Sequence, residues 1–162
     1  MKEKTCCFTG HRNIPSGMEK ELFSITEKLV EKAINYGYRY FGAGGALGFD
    51  TIAALVVLKL KERYPDIKLI LVLPCVTQSK GWRKDDVAIY EDIKRKADKV
   101  VYTSQEYTRG CMYKRNRHLV DNSSLCICYL TDNIGGTFYT VNYAKERQLS
   151  ILNITEIFGS LV

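Results

Sequence analysis

Short apolar runs alternate with amphipathic stretches six times along the chain. A run that is apolar nearly throughout is typical of a strand that is covered on both faces, as in a parallel sheet. These runs predict six strands, at residues 5–9, 39–42, 67–73, 99–102, 124–130 and 150–153. No shift in composition marks a linker between them, so the pattern predicts a single domain over residues 1–162.

The stretches between the strands have the spacing of helices that bury one face. Apolar residues recur every three or four positions between residues 18 and 36, and Gly37 follows as a helix end. Asp50 is the expected N-cap of the next helix. Further helices are predicted at residues 51–62, from 85 or 86 to 97, at 113–122 and at 137–147. This alternation predicts an α/β fold, a Rossmann-like and doubly wound, mostly parallel sheet with helices on both faces.

Composition narrows the class of protein and of partner. The longest apolar runs, at residues 52–60 and 69–76, are shorter than the roughly 18 residues that span a bilayer, and the first apolar stretch breaks at Gly10, too early for a signal peptide. We therefore expect a cytoplasmic protein without a membrane partner. The six cysteines are expected to be reduced, Cys126 and Cys128 are expected to pack in the core, and no spacing indicates a metal site. A formal net charge of +6 favours an anionic partner.

In a doubly wound sheet the ligand site lies beyond the carboxyl ends of the strands, where the strand order reverses. Two of the strand-to-helix turns there have an unusual composition. The first places a hydroxyl, an imidazole and a guanidinium group around a glycine, and these groups can meet an anion. The second has four glycines between residues 42 and 50, which leave room for phosphate oxygens against backbone N–H groups at a helix start. The candidate ligand residues of these turns are Thr9, Gly10, His11, Arg12, Gly44, Gly45, Gly48 and Asp50.

A third turn follows the strand at residues 124–130 and precedes a helix. Its candidate residues are Gly135, Gly136 and Thr137, which predict a second group of backbone N–H donors opening onto the same crevice. The helix upstream carries Arg115 and Asn116 among several cations, and its periodicity lets one or two of those cations point to the site. These turns therefore predict a phosphate-binding site. No metal is expected there, and the sequence identifies no cofactor with certainty.

At these residues the sequence resembles the SLOG superfamily, which groups the DNA-processing protein DprA with the LOG phosphoribohydrolases, and within it the YpsA-like branch. The resemblance covers nearly the whole chain. Its marks are the Thr-Gly-His-Arg segment at 9–12, Gly-Gly-Ala-Leu-Gly-Phe-Asp at 44–50, Gln78 with Trp82, Arg115-Asn116 followed by Val120-Asp121 and Ser123, and Gly-Gly-Thr at 135–137. The resemblance implies a Rossmann-like fold that binds a nucleotide or a nucleotide-derived ligand.

The LOG enzymes cleave the N-glycosidic bond of a nucleoside monophosphate, and Arg115 resembles their arginine. The chain departs from their Pro-Gly-Gly-x-Gly-Thr-x-x-Glu segment, because no proline precedes Gly135 and residues 138–140, Phe-Tyr-Thr, stand where acidic residues would follow. A carboxylate is needed for that chemistry. Asp50 and Asp121 are the substitutes that the sequence offers, so Arg115 and Asp121 are the candidate catalytic residues, and whether the protein is an enzyme stays open.

The leading hypothesis is a nucleotide-sensing or nucleotide-processing protein. Its glycine turns hold the phosphates, Gln78 and Trp82 close over the base or ribose, and Arg115 neutralises charge. Replacement of Gly45 by a bulky residue is expected to abolish binding and to leave the fold intact. One alternative is a DprA-like module that binds single-stranded DNA through cations and through aromatic residues such as Tyr107 and Tyr113. A LOG-like N-glycosidase with altered catalytic residues and a protein-interaction module are further alternatives, and related folds often form homodimers.

Overall fold

Six parallel strands form one sheet in the computed structural model, which describes the backbone of residues 1–161 and the side chains of residues 1–157. Val162, the last residue of the predicted domain, lies outside the described residues. The strands are β1 (Thr5–Gly10), β2 (Tyr40–Ala43), β3 (Lys68–Leu73), β4 (Lys99–Tyr102), β5 (Leu125–Tyr129) and β6 (Ser150–Asn153). Each predicted strand agrees with the observed one to within one residue at either end. The predicted α/β Rossmann-like fold is confirmed.

The strand order is β4-β3-β2-β1-β5-β6. In the described part of the chain the helices are α1 (Glu19–Asn35), α2 (Phe49–Leu60), α3 (Lys84–Lys96), α4 (Cys111–Asp121), α5 (Gly136–Glu146) and α6 (Ile154–Leu161). Helices α1, α2, α3 and α6 pack on one face of the sheet, whereas α4 and α5 pack on the other. The sheet is doubly wound because the chain builds outward from β1 to β4, crosses back through α4 and continues from β5 on the other side.

Alternate residues of the central strands supply two separate core layers. Phe8 and Ile127 point into the layer under α1 and α2. Cys7, Cys126 and Cys128 point into the layer under α4 and α5. All six cysteines are free and buried, so the predicted core packing of Cys126 and Cys128 is confirmed and the other four share it. These thiols therefore act as small apolar side chains beneath the two helices that precede and follow β5.

Helix α2 starts two residues earlier than predicted, and this changes the role of Asp50. The N-cap is Gly48, with φ 81°, and Asp50 lies inside the first turn of the helix. Its carboxylate accepts a hydrogen bond from the backbone N–H of Ala46 at 3.3 Å. The prediction that Asp50 caps α2 is therefore wrong, because a glycine at the cap lets the helix begin earlier and leaves the carboxylate to hold the preceding turn.

Helix α6 was not predicted, because only the last eight residues of the described chain form it and few positions are available to show a period. None of the described helices combines the length and the hydropathy that crossing a membrane requires.

Candidate functional site

The strand order reverses between β1 and β5, whose last residues, Gly10 and Tyr129, lie side by side. From β1 the chain continues to α1 in one direction, and from β5 it continues to α5 in the other. The two connections therefore diverge and leave a crevice between them, as in other doubly wound sheets.

The loop after β1 is locked to its two neighbours. The N–H of Phe49 donates to the carbonyl of His11 at 3.1 Å, and a Cβ at Gly48 would lie 2.2 Å from the carbonyl oxygen of Arg12. On the other side, the N–H of Thr131 donates to Nε2 of His11 at 2.8 Å. Because Nε2 is the acceptor, the neutral ring carries its proton on Nδ1. His11 thus ties the loop after β5 to the loop after β1.

The crevice is a cleft of about 450 Å³. It brings together residues from three predicted turns and from α4. The predicted site residues that line it are Thr9, Gly10, His11, Arg12, Asp50, Arg115, Asn116, Gly135, Gly136 and Thr137. The convergence of these segments, far apart in the sequence, follows from the position of their turns at the carboxyl edge of the sheet.

Gly135 and Gly136 leave the start of α5 open to the cleft. A Cβ at either position would meet no atom within 4 Å. Gly135 is the N-cap, with φ 97°, and no side chain caps the helix. The first N–H groups of a helix have no partner within the helix, and the helix dipole favours negative charge there. This end of the cleft is thus shaped and polarised for an anion.

Arg115 is a buried cation at the floor of the cleft, with 5% of its surface exposed. Its Nη1 donates to the carbonyl of Gly44 and, at 3.4 Å, to Oε1 of Gln78. Its Nε donates to Oδ1 of Asn116 at 2.7 Å. Its Nη2 lies 3.9 Å from the Met112 sulfur, a weak acceptor. The guanidinium is thus held in place by neutral groups and keeps donor capacity for an anionic ligand.

Asp50 is a second buried charge-bearing group in the cleft, with 6% of its surface exposed. Burial raises the pKa of Asp50, against the opposing effects of the Arg115 guanidinium, the Ala46 N–H and Arg12. Burial also lowers the pKa of Arg115, and Asp50 opposes that change. The two side chains form no ion pair within 4.0 Å, so Asp50 only partly offsets the positive charge of Arg115.

Gly44, Gln78 and Gly45 lie behind the cleft rather than on its surface. Nε2 of Gln78 donates to the carbonyl of Gly44 at 3.5 Å, so Gln78 supports the groups that hold Arg115. Gly45 has φ 73°, and a Cβ there would lie 2.5 Å from Leu73 and 3.1 Å from Gln78. The expectation that a bulky residue at Gly45 would leave the fold intact is therefore wrong, because the position faces the core.

Two further predicted residues do not reach the cleft. Trp82 packs edge-on against Tyr90, with ring centroids 5.2 Å apart, and joins the core cluster under α2 and α3. Asp121 lies in the last turn of α4, about 9 Å along the helix axis from Arg115. It accepts a hydrogen bond from Tyr143 at 2.7 Å and pairs with Arg147 at 3.6 Å. Neither the lid expected at Trp82 nor the catalytic role expected at Asp121 has support in this geometry.

The structure adds cleft residues that the sequence interpretation left out. Met112 and Ile134 line the cleft, as does Tyr107, which the sequence suggested only for DNA binding. A signal for Ile134 was available, because it is an apolar residue beside the glycine pair in an otherwise polar turn. Among the described side chains, no group of three His, Cys, Asp or Glu residues is placed to hold a metal ion.

Comparison with known proteins gives consistent results. The family model YpsA, described as the YspA SLOG family, matches residues 6–157. The uncharacterized SPbeta prophage-derived protein YoqJ of Bacillus subtilis is 29% identical over 144 residues, which are 82% of this chain and 82% of that protein. The UPF0398 protein YpsA of Bacillus subtilis is 26% identical over 155 residues, which are 90% of this chain and 86% of that protein.

Among solved structures, the chain is similar to DNA processing protein A (DprA) of Helicobacter pylori, whose structure was described for its single-stranded DNA binding mode. The TM-score is 0.65 at 17% sequence identity, over 93% of this chain and 64% of that chain. The chain thus spans less than two thirds of that DprA structure. At this level of identity, the similarity establishes a shared fold.

Proposed function

The chain belongs to the YspA SLOG family, and we propose that its cleft binds the phosphate group of a nucleotide or of a nucleotide-derived ligand. Family membership and the DprA-like fold support a role related to nucleotides or to single-stranded DNA. The observation that carries the proposal is the open glycine pair at the start of α5. Gly135 and Gly136 leave space where side chains would stand, beside N–H groups that attract phosphate oxygens.

The distribution of charge supports an anionic ligand. Arg12 and Arg115 belong to no ion pair among the described side chains. Arg115 is buried nevertheless, whereas the cations on the helix surfaces are hydrated or, like Lys59 with Glu27 at 2.9 Å, paired with a carboxylate. Both arginines line the cleft. Two unpaired guanidinium groups beside a helix N-terminus favour a phosphate at this place.

The proposal is one of binding. Asp50 is the carboxyl group that the described structure places in the cleft. Its raised pKa suits a group that exchanges protons, but the Phe-Tyr-Thr segment after the glycine pair supplies no second carboxylate. A turnover assay therefore follows only after a ligand has been identified.

The test is a thermal-shift screen of the wild-type protein against phosphate, ribose 5-phosphate and nucleoside mono-, di- and triphosphates. A ligand that binds only the folded state raises its melting temperature. Gly136→Val is the critical variant, since the added side chain enters the cleft from a position where a Cβ meets nothing within 4 Å. It should melt like the wild type and lose the shift.

Gly37→Ala is the matched control. Gly37 has φ 105°, so this variant loses stability through backbone strain. Gly37 follows α1 at the amino ends of the strands, away from the cleft, so the variant keeps the ligand shift. If no phosphate-containing compound shifts the wild-type melting temperature, the proposed function is wrong. If Gly136→Val retains the full shift, the ligand binds elsewhere.

A second candidate function is the binding of single-stranded DNA next to the cleft. Arg109, Lys114 and Arg117 line a groove of about 440 Å³ and belong to no ion pair among the described side chains. Tyr113 and Tyr139 stand in the same groove with ring centroids 4.7 Å apart. Unpaired cations beside exposed aromatic rings are typical of surfaces that bind single strands.

The two candidates differ in salt dependence. An oligonucleotide in the groove lined by Arg109, Lys114 and Arg117 should bind less tightly as the salt concentration increases. The slope of log K against log salt should be about −0.7 for each phosphate contact. Lys114→Glu should weaken this binding and reduce the slope. Lys59→Glu is the control, because Lys59 is exposed on the opposite face and is paired with Glu27. Oligonucleotide binding that does not depend on salt would remove this candidate.

A further inference from the structure

Two large apolar side chains at the cleft are exposed without an evident packing role. Tyr107 is 68% exposed and Ile134 is 78% exposed. Both line the cleft that contains Arg115 and the glycine pair. They lie on different loops, Tyr107 between β4 and α4 and Ile134 between β5 and α5. Exposed apolar side chains that share one concave site indicate a surface that a ligand covers.

The cleft is therefore chemically divided. Its polar part contains Arg115, Asp50 and the open start of α5, whereas Tyr107 and Ile134 supply an exposed apolar part. Ile134 stands two residues before Gly136, so at most about 7 Å of chain separates Ile134 from the start of α5, and Tyr107 lines the same cleft. A ligand that fills both parts has an anionic group joined to an apolar, flat group over a short distance. A nucleotide, with its phosphate, ribose and base, has that form.

We infer that Tyr107 and Ile134 are the residues that bind the nucleobase, with the base stacked on the Tyr107 ring and in contact with Ile134. This inference rests on the proposed function. Stacking contacts the face of a base and makes no hydrogen bond to its edge, so a stacking site tolerates every base. The site thus selects nucleotides over sugar phosphates, and it discriminates weakly among adenine, guanine, cytosine and uracil.

The test compares two ligands that share a ribose 5-phosphate group, one with a base at C1′ and one with a hydroxyl there. Isothermal titration of the full chain with a nucleoside 5′-monophosphate and with ribose 5-phosphate measures the contribution of the base. The wild type should bind the nucleotide more tightly. Tyr107→Ala should weaken nucleotide binding roughly tenfold or more and leave ribose 5-phosphate binding unchanged. Tyr107→Phe should retain nucleotide affinity, and Ile134→Ser should act like Tyr107→Ala with a smaller effect.

Tyr36→Ala is the matched control. Tyr36 is 81% exposed and lies at the C-terminal end of α1, at the opposite edge of the sheet from the cleft, so its removal should change neither affinity. Equal affinity of the wild type for the two ligands would overturn the inference, as would equal losses for both ligands in Tyr107→Ala. If neither ligand binds the wild type, the proposed function is wrong as well. That outcome differs from equal binding of both ligands, which overturns only the inference about the base.

Discussion

Replacement of Arg115 by methionine tests whether this arginine organises the floor of the cleft. The variant keeps most of the side-chain volume and removes the donors that hold the carbonyl of Gly44 and Oε1 of Gln78. Oδ1 of Asn116 loses a donor at 2.7 Å but is closer to solvent. The change therefore removes a charge and a hydrogen-bond network at one buried position.

The magnitude follows from two acceptors. Oε1 of Gln78 loses the hydrogen bond from Arg115, and the carbonyl of Gly44 keeps only the long hydrogen bond, at 3.5 Å, from Nε2 of Gln78. Leaving one acceptor unsatisfied costs about 1–3 kcal/mol. Burial of the guanidinium itself is unfavourable, and its removal returns part of that cost. The net loss of unfolding free energy should be roughly 2–4 kcal/mol, out of a total of about 5–15 kcal/mol. For a domain of this size, that loss corresponds to a melting temperature lower by about 4–16 °C.

Asp50 provides the internal control. Arg115 lowers the pKa of Asp50, so the two groups attract each other in the folded state. In an Asp50→Asn background this attraction is already absent, and Arg115→Met should cost less there by about 1 kcal/mol. Urea unfolding of the wild type, both single variants and the double variant measures this coupling. A single Arg115→Met variant within about 0.5 kcal/mol of the wild type would refute the reasoning, and additive losses would refute the coupling.

Three other predictions concern glycine, pH and thiols. Gly45→Ala should lose about 2–4 kcal/mol in urea unfolding, because it combines a left-handed backbone with a Cβ that is 2.5 Å from Leu73, and wild-type stability would contradict this. Burial raises the pKa of Asp50 in the folded protein above its ordinary value of 3.8. The contribution of this carboxyl group to the free energy of unfolding is therefore complete below pH 3.8 and is lost as the pH rises through the folded pKa. Urea unfolding at several pH values should therefore show Asp50→Asn gaining on the wild type as pH rises, and a constant difference would refute it. All six cysteines are buried, and hydrogen bonds with Cys128 and Cys7, together with burial, raise the pKa of the Cys126 thiol. Because Ellman's reagent cannot reach buried thiols, it should label no cysteine until the protein unfolds.

The interpretation of the glycines shows where sequence reasoning reached its limit. Gly45, Gly48 and Gly136 have equal standing in the sequence as members of glycine-rich turns. In the structure Gly45 packs against Leu73, Gly48 packs against the backbone of Arg12, and Gly136 faces open space. A glycine is needed both where the chain is crowded and where a ligand approaches, and only the surrounding atoms separate these two cases.

Carboxylates gave a similar result. The sequence offered two substitute carboxylates: Asp50, expected to cap a helix after a glycine turn, and Asp121, named with Arg115 as a candidate catalytic residue. The fold buries Asp50 beside Arg115 and leaves Asp121 at the far end of α4 with Tyr143 and Arg147. Asp121 follows Arg115 by six residues, which correspond to about 9 Å along the helix axis. This distance is enough to keep Asp121 out of the cleft that Arg115 lines.

The sequence by itself determined the order of the six strands and of helices α1 to α5, the parallel sheet, and the edge of that sheet at which the candidate site lies. Those features depend on hydrophobic period and on turn composition, which are local properties of the chain. Tertiary structure alone decided which turn residues face the cleft, because that depends on contacts between segments such as the β1 loop and Gly48, or Gly44 and Arg115. It also placed Tyr107 and Ile134 in one site, since a side chain's exposure is a property of the packed chain and not of its neighbours in the sequence.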